Sequence, residues 1–327
     1  MTAISKLLLW GLCAGMSAHA EAASSAAAQS YPTKPIRLIV ASSPAGPNDV
    51  IARMVSGRWG EALGGRPIVV DNRAGAAGVI GTEIAARAAP DGYTLLLGFQ
   101  GPLVIAPHLG DTPYDPLKDF APVSLAVSAP FVLLVHPGVR AKSVKELIAL
   151  AKARPARLNF ASGGTGIGSH LAMELLKFTA GIDMVHVPYK GAGPGLTALV
   201  AGEVDAMFAG VSAALPHIKS DKLRPLAVGG DKRFPLLAEL PTLSESGFPV
   251  NASSWYGVLA PARTPRAIVD RLHATLTQTL TAPQMKSRLT EVAFELNAST
   301  PEEFGAFLRS EIATWSKVVR AAGLRVH

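Results

Sequence analysis

The order strand, glycine loop, helix, strand, glycine loop, helix, strand runs through this chain twice, and that repetition constrains the fold more than any single motif. In the first pass, Ile36 to Val40 is an apolar β-branched run followed by the loop Ala41 to Asn48. Val50, Ile51, Met54, Val55 and Leu63 then recur at helical spacing, with Asp49 as the expected N-cap. Pro67 to Val70 reads as a strand, and Asn72 to Gly78 as a second glycine loop feeding a helix through Ile84. Tyr93 to Leu97 is the next strand. The second pass places strands at 157–161, 184–188 and 204–208, glycine loops at 162–168 and 191–195, and helices at 169–179 and 196–201. Strands that alternate with helices form a largely parallel sheet with right-handed crossovers. Two passes in 327 residues predict an α/β fold of two lobes.

The connections set the lobe boundaries. Phe131 to Val135 reads as a strand crossing to the second lobe, and Ser254 to Ala260 as the return crossing. Lobe one is then 31–132 with 254–327, and lobe two is 133–253. Thr264-Pro265 supplies N-cap and N1 for a helix through about Leu280. Thr300-Pro301-Glu302-Glu303 carries a capping box, after which Phe304, Phe307, Leu308, Ile312, Trp315 and Val319 line one helix face. That helix is expected to pack back onto lobe one.

The formal charge of +7 invites a nucleic-acid partner. Lys and Arg are scattered singly, however, and aromatics are only 6%, so no nucleic-acid binding is expected. A mildly positive field suits a binder of anions, because charge steers them inward. At the N-terminus, Lys6, the apolar run Leu7 to Met16 and Ala18-His19-Ala20 read as a cleaved signal peptide over 1–20. The run is too short to span a bilayer, which needs about 20 apolar residues. Residues 21–30, mostly Ala and Ser, read as a disordered linker, so the mature chain is expected in the periplasm. Cys13 is the only cysteine, and Leu12 before it is too large for lipid attachment. The mature chain therefore offers no thiol and no disulfide. The His residues show no metal spacing, and neither metal nor cofactor is expected.

Ligands in open α/β sheets lie at the carboxyl ends of strands, against loops that feed helices. Ser42 to Asp49, Gly98 to Pro102, Ser162 to Ser169 and Lys190 to Gly195 meet that description. Their glycines let a ligand approach the backbone, and free N–H groups at a helix start suit a carboxylate. An enzyme is the alternative, acting on a small acid with a nucleotide cofactor at the glycine loop 163–168. Gly163-Gly-Thr-Gly166-Ile-Gly168 matches the dinucleotide fingerprint, but the next strand ends Val187-Pro188-Tyr189-Lys190, without the acidic residue a ribose needs. No G-x-S-x-G nucleophile elbow or Walker A sequence occurs. His170 is expected to hold the lobe-two loop through its imidazole N–H rather than to touch a ligand.

The same loops resemble the Bug-type solute-binding proteins of tripartite tricarboxylate transporters. The resemblance runs from about Tyr31 to Leu324 and rests on Tyr31-Pro-Thr-Lys-Pro-Ile36, Asp71-Asn-Arg73 with Gly75 and Gly78, and Ala89 through Gly98. Asp115 through Pro122, His186 through Gly191, Leu215 through Ile218 and Trp255 through Pro261 add to it. It implies a periplasmic binding protein type II-like fold, closure of two lobes on a carboxylate, no catalysis, and delivery to a membrane transporter by a monomer. Where the family commonly has Phe-Pro-Pro-Gly-Gly-Gly-Thr-Asp, this chain has Ser42 to Asp49 without the aromatic; Phe99-Gln100-Gly101 replaces a Ser or Thr, and Ile167 a frequent serine. These departures predict a ligand with a bulkier or more apolar body than a small hydroxy acid. The expected contacts on lobe one are Ser42, Gly46, Asn48, Gln100 and Gly101. On lobe two they are Ser162, Gly163, Gly164, Thr165, Tyr189 and Lys190, with Ala209 and Gly210 at the rim. Asp49 is expected to cap a helix rather than to meet the ligand.

Overall fold

A computed structural model describes residues 31–44 and 46–321. The expected signal peptide and linker lie outside the described residues. The strands are β1 (Ile36–Val40), β2 (Ile68–Asn72), β3 (Thr94–Phe99), β4 (Phe120–Val135), β5 (Asn159–Ser162), β6 (Val185–Pro188), β7 (Ala206–Gly210), β8 (Arg224–Val228), β9 (Ser253–Pro261) and β10 (Glu295–Leu296). The α-helices are α1 (Pro47–Ala62), α2 (Val79–Ala86), α3 (Ala106–Leu109), α4 (Val144–Ala153), α5 (Gly168–Ala180), α6 (Ala192–Ala201), α7 (Val211–Lys219), α8 (Arg266–Thr281), α9 (Pro283–Glu291) and α10 (Pro301–Ala321).

Each pass of the repeat builds one parallel group. In the first, β1 lies between β2 and β3; in the second, β5 lies between β6 and β7. Strands β4 and β9 run antiparallel to each other and join the groups. Residues 120–130 of β4 pair with β9, whereas Phe131–Val135 pair with β7 and β8 in the other lobe. The crossing strand is thus much longer than the expected Phe131 to Val135. It contains Pro122 and Pro130, neither of which can donate to a ladder. The register shifts between Pro122 and Ser124, so the strand continues past the missing donor.

Local signals resolve in three ways. The capping box forms as read, with Glu303 N–H donating to Thr300 Oγ1 at 3.2 Å and Thr300 N–H to Glu303 Oε2 at 2.8 Å. Helix α1 instead starts at Pro47 with Gly46 as N-cap, so Asp49 is not the cap. Its buried carboxylate lies in the first turn, where the helix dipole favours it, and accepts from Arg53 Nε at 2.9 Å. Pro265 rather than Thr264 occupies the N-cap position of α8, and the Thr264 hydroxyl donates to Pro261 O at 2.7 Å.

Helix α10 packs along β4 with Phe304, Leu308, Trp315 and Val319 buried. It also touches α5 of the second lobe. One apolar core therefore runs through both lobes, from Ile39 and Leu96 to Phe160, Leu171 and Trp315.

Candidate functional site

A cavity of about 380 Å³ opens where the loops after β1, β2 and β3 face the start of α5. Ser42, Gly78 and Gln100 represent the three lobe-one loops in its wall, and Gly166, Ile167 and Gly168 the second lobe. Ser254, Trp255 and Tyr256 of the crossing strand form the remainder. Gly78 adopts φ +97°, a backbone that side chains rarely tolerate, and turns the β2 loop into α2. At Gly168 an added Cβ would lie 2.9 Å from the Phe131 ring, so glycine lets α5 begin against the crossing strands.

Among the described residues, no Lys, Arg, Asp or Glu lines this cavity. Its polar character comes from backbone and from Ser and Gln side chains, beside the apolar surfaces of Phe99, Ile167, Leu171 and Trp255. Ser42 Oγ is buried there without a hydrogen-bond partner among the described residues. A buried hydroxyl left unpaired costs about 1–3 kcal/mol, and since this one is sealed from the cavity, it would reach a ligand there by rotating about its side-chain bond.

Behind the wall, Glu311 of α10 gathers three donors on one oxygen. Gln100 Nε2 donates to Glu311 Oε2 at 3.3 Å, Trp255 Nε1 at 3.1 Å and Trp315 Nε1 at 3.3 Å. Burial pushes the Glu311 carboxyl above its ordinary value, and the hydrogen bonds from Trp255, Gln100 and Trp315 pull it back. Trp255 is further fixed by edge-on contacts with Phe304 and Phe307.

The lobe-two loop is braced from inside by two histidines. His170 and His186 stack with ring centroids 3.9 Å apart, and Phe160 stacks on His186 at 4.9 Å. Ser162 Oγ lies 2.6 Å from His186 Nε2 and accepts from Gly164 N–H. Gly166 N–H donates to His170 Nδ1 at 3.0 Å. His170 does hold the loop, but through its lone pair rather than its N–H, which leaves the proton on Nε2. Burial pushes both imidazoles down to about 4, aided at His186 by the neighbouring His170. Both are thus neutral at physiological pH, as the accepting role of His170 requires.

A second cavity, of about 390 Å³, lies on the β10 side of the crossing strands. Asp231 and Glu295 line it together with Lys232, Arg233 and Lys286. Burial raises the Glu295 carboxyl. The first cavity is the candidate site because it joins the loops at the strand ends of lobe one to the start of α5 in lobe two, where ligands of α/β folds lie.

The family model for the tripartite tricarboxylate transporter family receptor matches residues 51–324. The chain belongs to this family. The receptor is 37% identical over 312 residues to BugT of Bordetella pertussis strain Tohama I, covering 94% of this chain and 95% of that protein. Two solved structures share its fold. Rpa4515 of R. palustris, solved with adipate, is 34% identical with a TM-score of 0.73 over 90% of this chain and 99% of the other. The periplasmic binding protein BugD is 32% identical with a TM-score of 0.70 over 90% and 99%. The two-lobed periplasmic binding fold follows, and membership makes the protein a solute receptor rather than the enzyme of the alternative reading. No described helix is long and apolar enough to cross a membrane.

Of the contacts expected from sequence, Ser42, Gln100 and Gly101 line the receptor's cavity. Gly46 and Asn48 stand at the start of α1, outside that lining. Ser162 is buried in the second lobe, Gly163 and Gly164 are half-buried and Thr165 is exposed, all outside that lining. There Gly191 N–H donates to Gly163 O and Tyr189 N–H to Ser162 O, tying Tyr189, Lys190 and their loop to the first one. Ala209 and Gly210 end β7 and lead into α7, again outside the lining. The lining residues not chosen from sequence include Gly78, Ile167 and Trp255. Exposure of Ile167, at 43% beside two glycines, is the signal that marks its loop as a wall.

Proposed function

We propose that the receptor captures a small carboxylate, a di- or tricarboxylate or an aliphatic or aromatic acid, between its lobes and delivers it to a tripartite tricarboxylate-type membrane transporter. The cavity between the glycine loops of both lobes, with the unpaired Ser42 hydroxyl one side-chain rotation from it, carries this reading. A carboxylate would take hydrogen bonds from that hydroxyl and from the backbone of the glycine loops, each contributing about 1.5–3 kcal/mol. The adipate found in the related structure supports the ligand class. The proposed contacts are Ser42, Gln100 and Gly101 on lobe one and the loop containing Gly164, Thr165 and Gly166 on lobe two.

The lobe boundaries proposed are 31–132 with 254–327, and 133–253. Cleavage after Ala20 and release of a monomer into the periplasm complete the proposal. The apolar surfaces of Phe99, Ile167, Leu171 and Trp255 favour an acid with a bulkier or more apolar body than a small hydroxy acid. A thermal-shift screen of aliphatic and aromatic acids tests both statements. At a hundredfold excess over its dissociation constant a true ligand stabilises by about 2.7 kcal/mol and is recovered unchanged. Stabilisation only by succinate-sized or amino acids would overturn the size preference. No stabilisation by any acid, or recovery of a converted product, would overturn the function.

A further inference from the structure

Gln100 has two chemically opposite ends, and the residues around it decide which end meets a ligand. The indole N–H groups of Trp255 and Trp315 can only donate, and both point at Glu311 Oε2. That oxygen is therefore an acceptor, and Gln100 turns its amide nitrogen to it at 3.3 Å. The carbonyl Oε1 is what Gln100 has left for the cavity it lines. Gln100 is only 9% exposed, so its amide has little room to turn while the three donors remain in place.

From this we infer that Glu311 is a positioning residue that sets ligand class: it presents an acceptor to the cleft, which selects carboxylic acids bearing a hydrogen-bond donor (hydroxyl, amide or ammonium) over those bearing a second carboxylate. The inference rests on the carboxylate reading of the cleft and narrows it. One carboxylate of the ligand takes the Ser42 hydroxyl and loop backbone. The other end of the ligand meets the Gln100 carbonyl. A second carboxylate there faces an acceptor with another carboxylate one hydrogen bond behind it, whereas a hydroxyl donates into it. No basic side chain among the described lining residues offsets that repulsion.

Three acids of equal chain length isolate the effect: hexanoate, 6-hydroxyhexanoate and adipate, titrated calorimetrically at about pH 7.5, where the carboxyls of all three ligands are ionised. The wild-type receptor is expected to bind 6-hydroxyhexanoate about tenfold or more tighter than adipate, with hexanoate between them. Glu311→Met removes the acceptor that holds the Gln100 nitrogen, so the amide is free to turn either end to the cleft. The ratio then falls to one or reverses in favour of adipate. Gln100→Leu removes both ends of the amide and brings 6-hydroxyhexanoate level with hexanoate. This second variant decides the matter should the first fail to fold. Tighter binding of adipate than of 6-hydroxyhexanoate by the wild type, or ratios unchanged in the variants, would overturn the inference and leave the carboxylate reading standing. Binding of none of the three would overturn both.

Discussion

Replacing Ser42 by Ala should move stability and affinity in opposite directions. The Ser42 hydroxyl is buried and unpaired among the described residues of the free receptor. An unpaired buried hydroxyl costs about 1–3 kcal/mol; Ser42 as a whole is only half-buried, so about 1 kcal/mol is the reasonable gain on deleting it. In a protein of this size that gain raises the melting temperature by about 2 °C. In the complex the same oxygen donates to a carboxylate, and its loss costs about 1.5–3 kcal/mol, a 10- to 100-fold weaker dissociation constant. Differential scanning calorimetry without ligand reads the first effect, and calorimetric titration with the tightest acid from the screen reads the second. A melting temperature that falls while affinity stays unchanged would refute the reasoning, since Ser42 would then serve the fold and not the ligand.

Two further outcomes follow from the second lobe. His170 and His186 have folded-state pKa values near 4, below the ordinary value of 6.5, so only the unfolded chain takes up protons as pH drops through that interval. Stability is full above about pH 6.5 and declines towards pH 4, with about 3 kcal/mol at stake for the more deeply buried His170. Urea denaturation across that range measures it; the slope should flatten in His170→Gln, and an unchanged slope would contradict the assignment. Gly168→Ala places a Cβ 2.9 Å from the Phe131 ring and 3.3 Å from Ser254 Oγ. It should cost about 1–3 kcal/mol in stability and weaken ligand binding with it, and wild-type values for both would show that the approach is not tight.

Much of this architecture was legible in local sequence. The strand–loop–helix repeat placed the glycine loops at the carboxyl ends of β1, β3 and β5, and the Thr300–Glu303 box located the start of α10. The length of β4 was hidden, because Pro122 and Pro130 each signal an end and only pairing with strands from two lobes overrides them. The cavity lining in lobe two begins farther along its loop than the residues chosen from sequence. Gly163 is turned inward, where a Cβ would lie 2.9 Å from Ala192 N, and the cavity is reached only at Gly166 to Gly168. Trp255 was noted as a family mark, but its place in the wall depends on Glu311, 56 residues away. The link between Glu311 and Gln100 spans 211 residues and leaves no trace in either local pattern.

Ligand capture belongs to one location, the cleft where the loops of lobe one face the start of α5. A crystal structure of the receptor with its tightest-binding acid tests this most directly. The account predicts an intact acid between Ser42 and the loop 166–168, with no covalent change. An acid found in the cavity beside Asp231 and Glu295, or one converted to product, would contradict it.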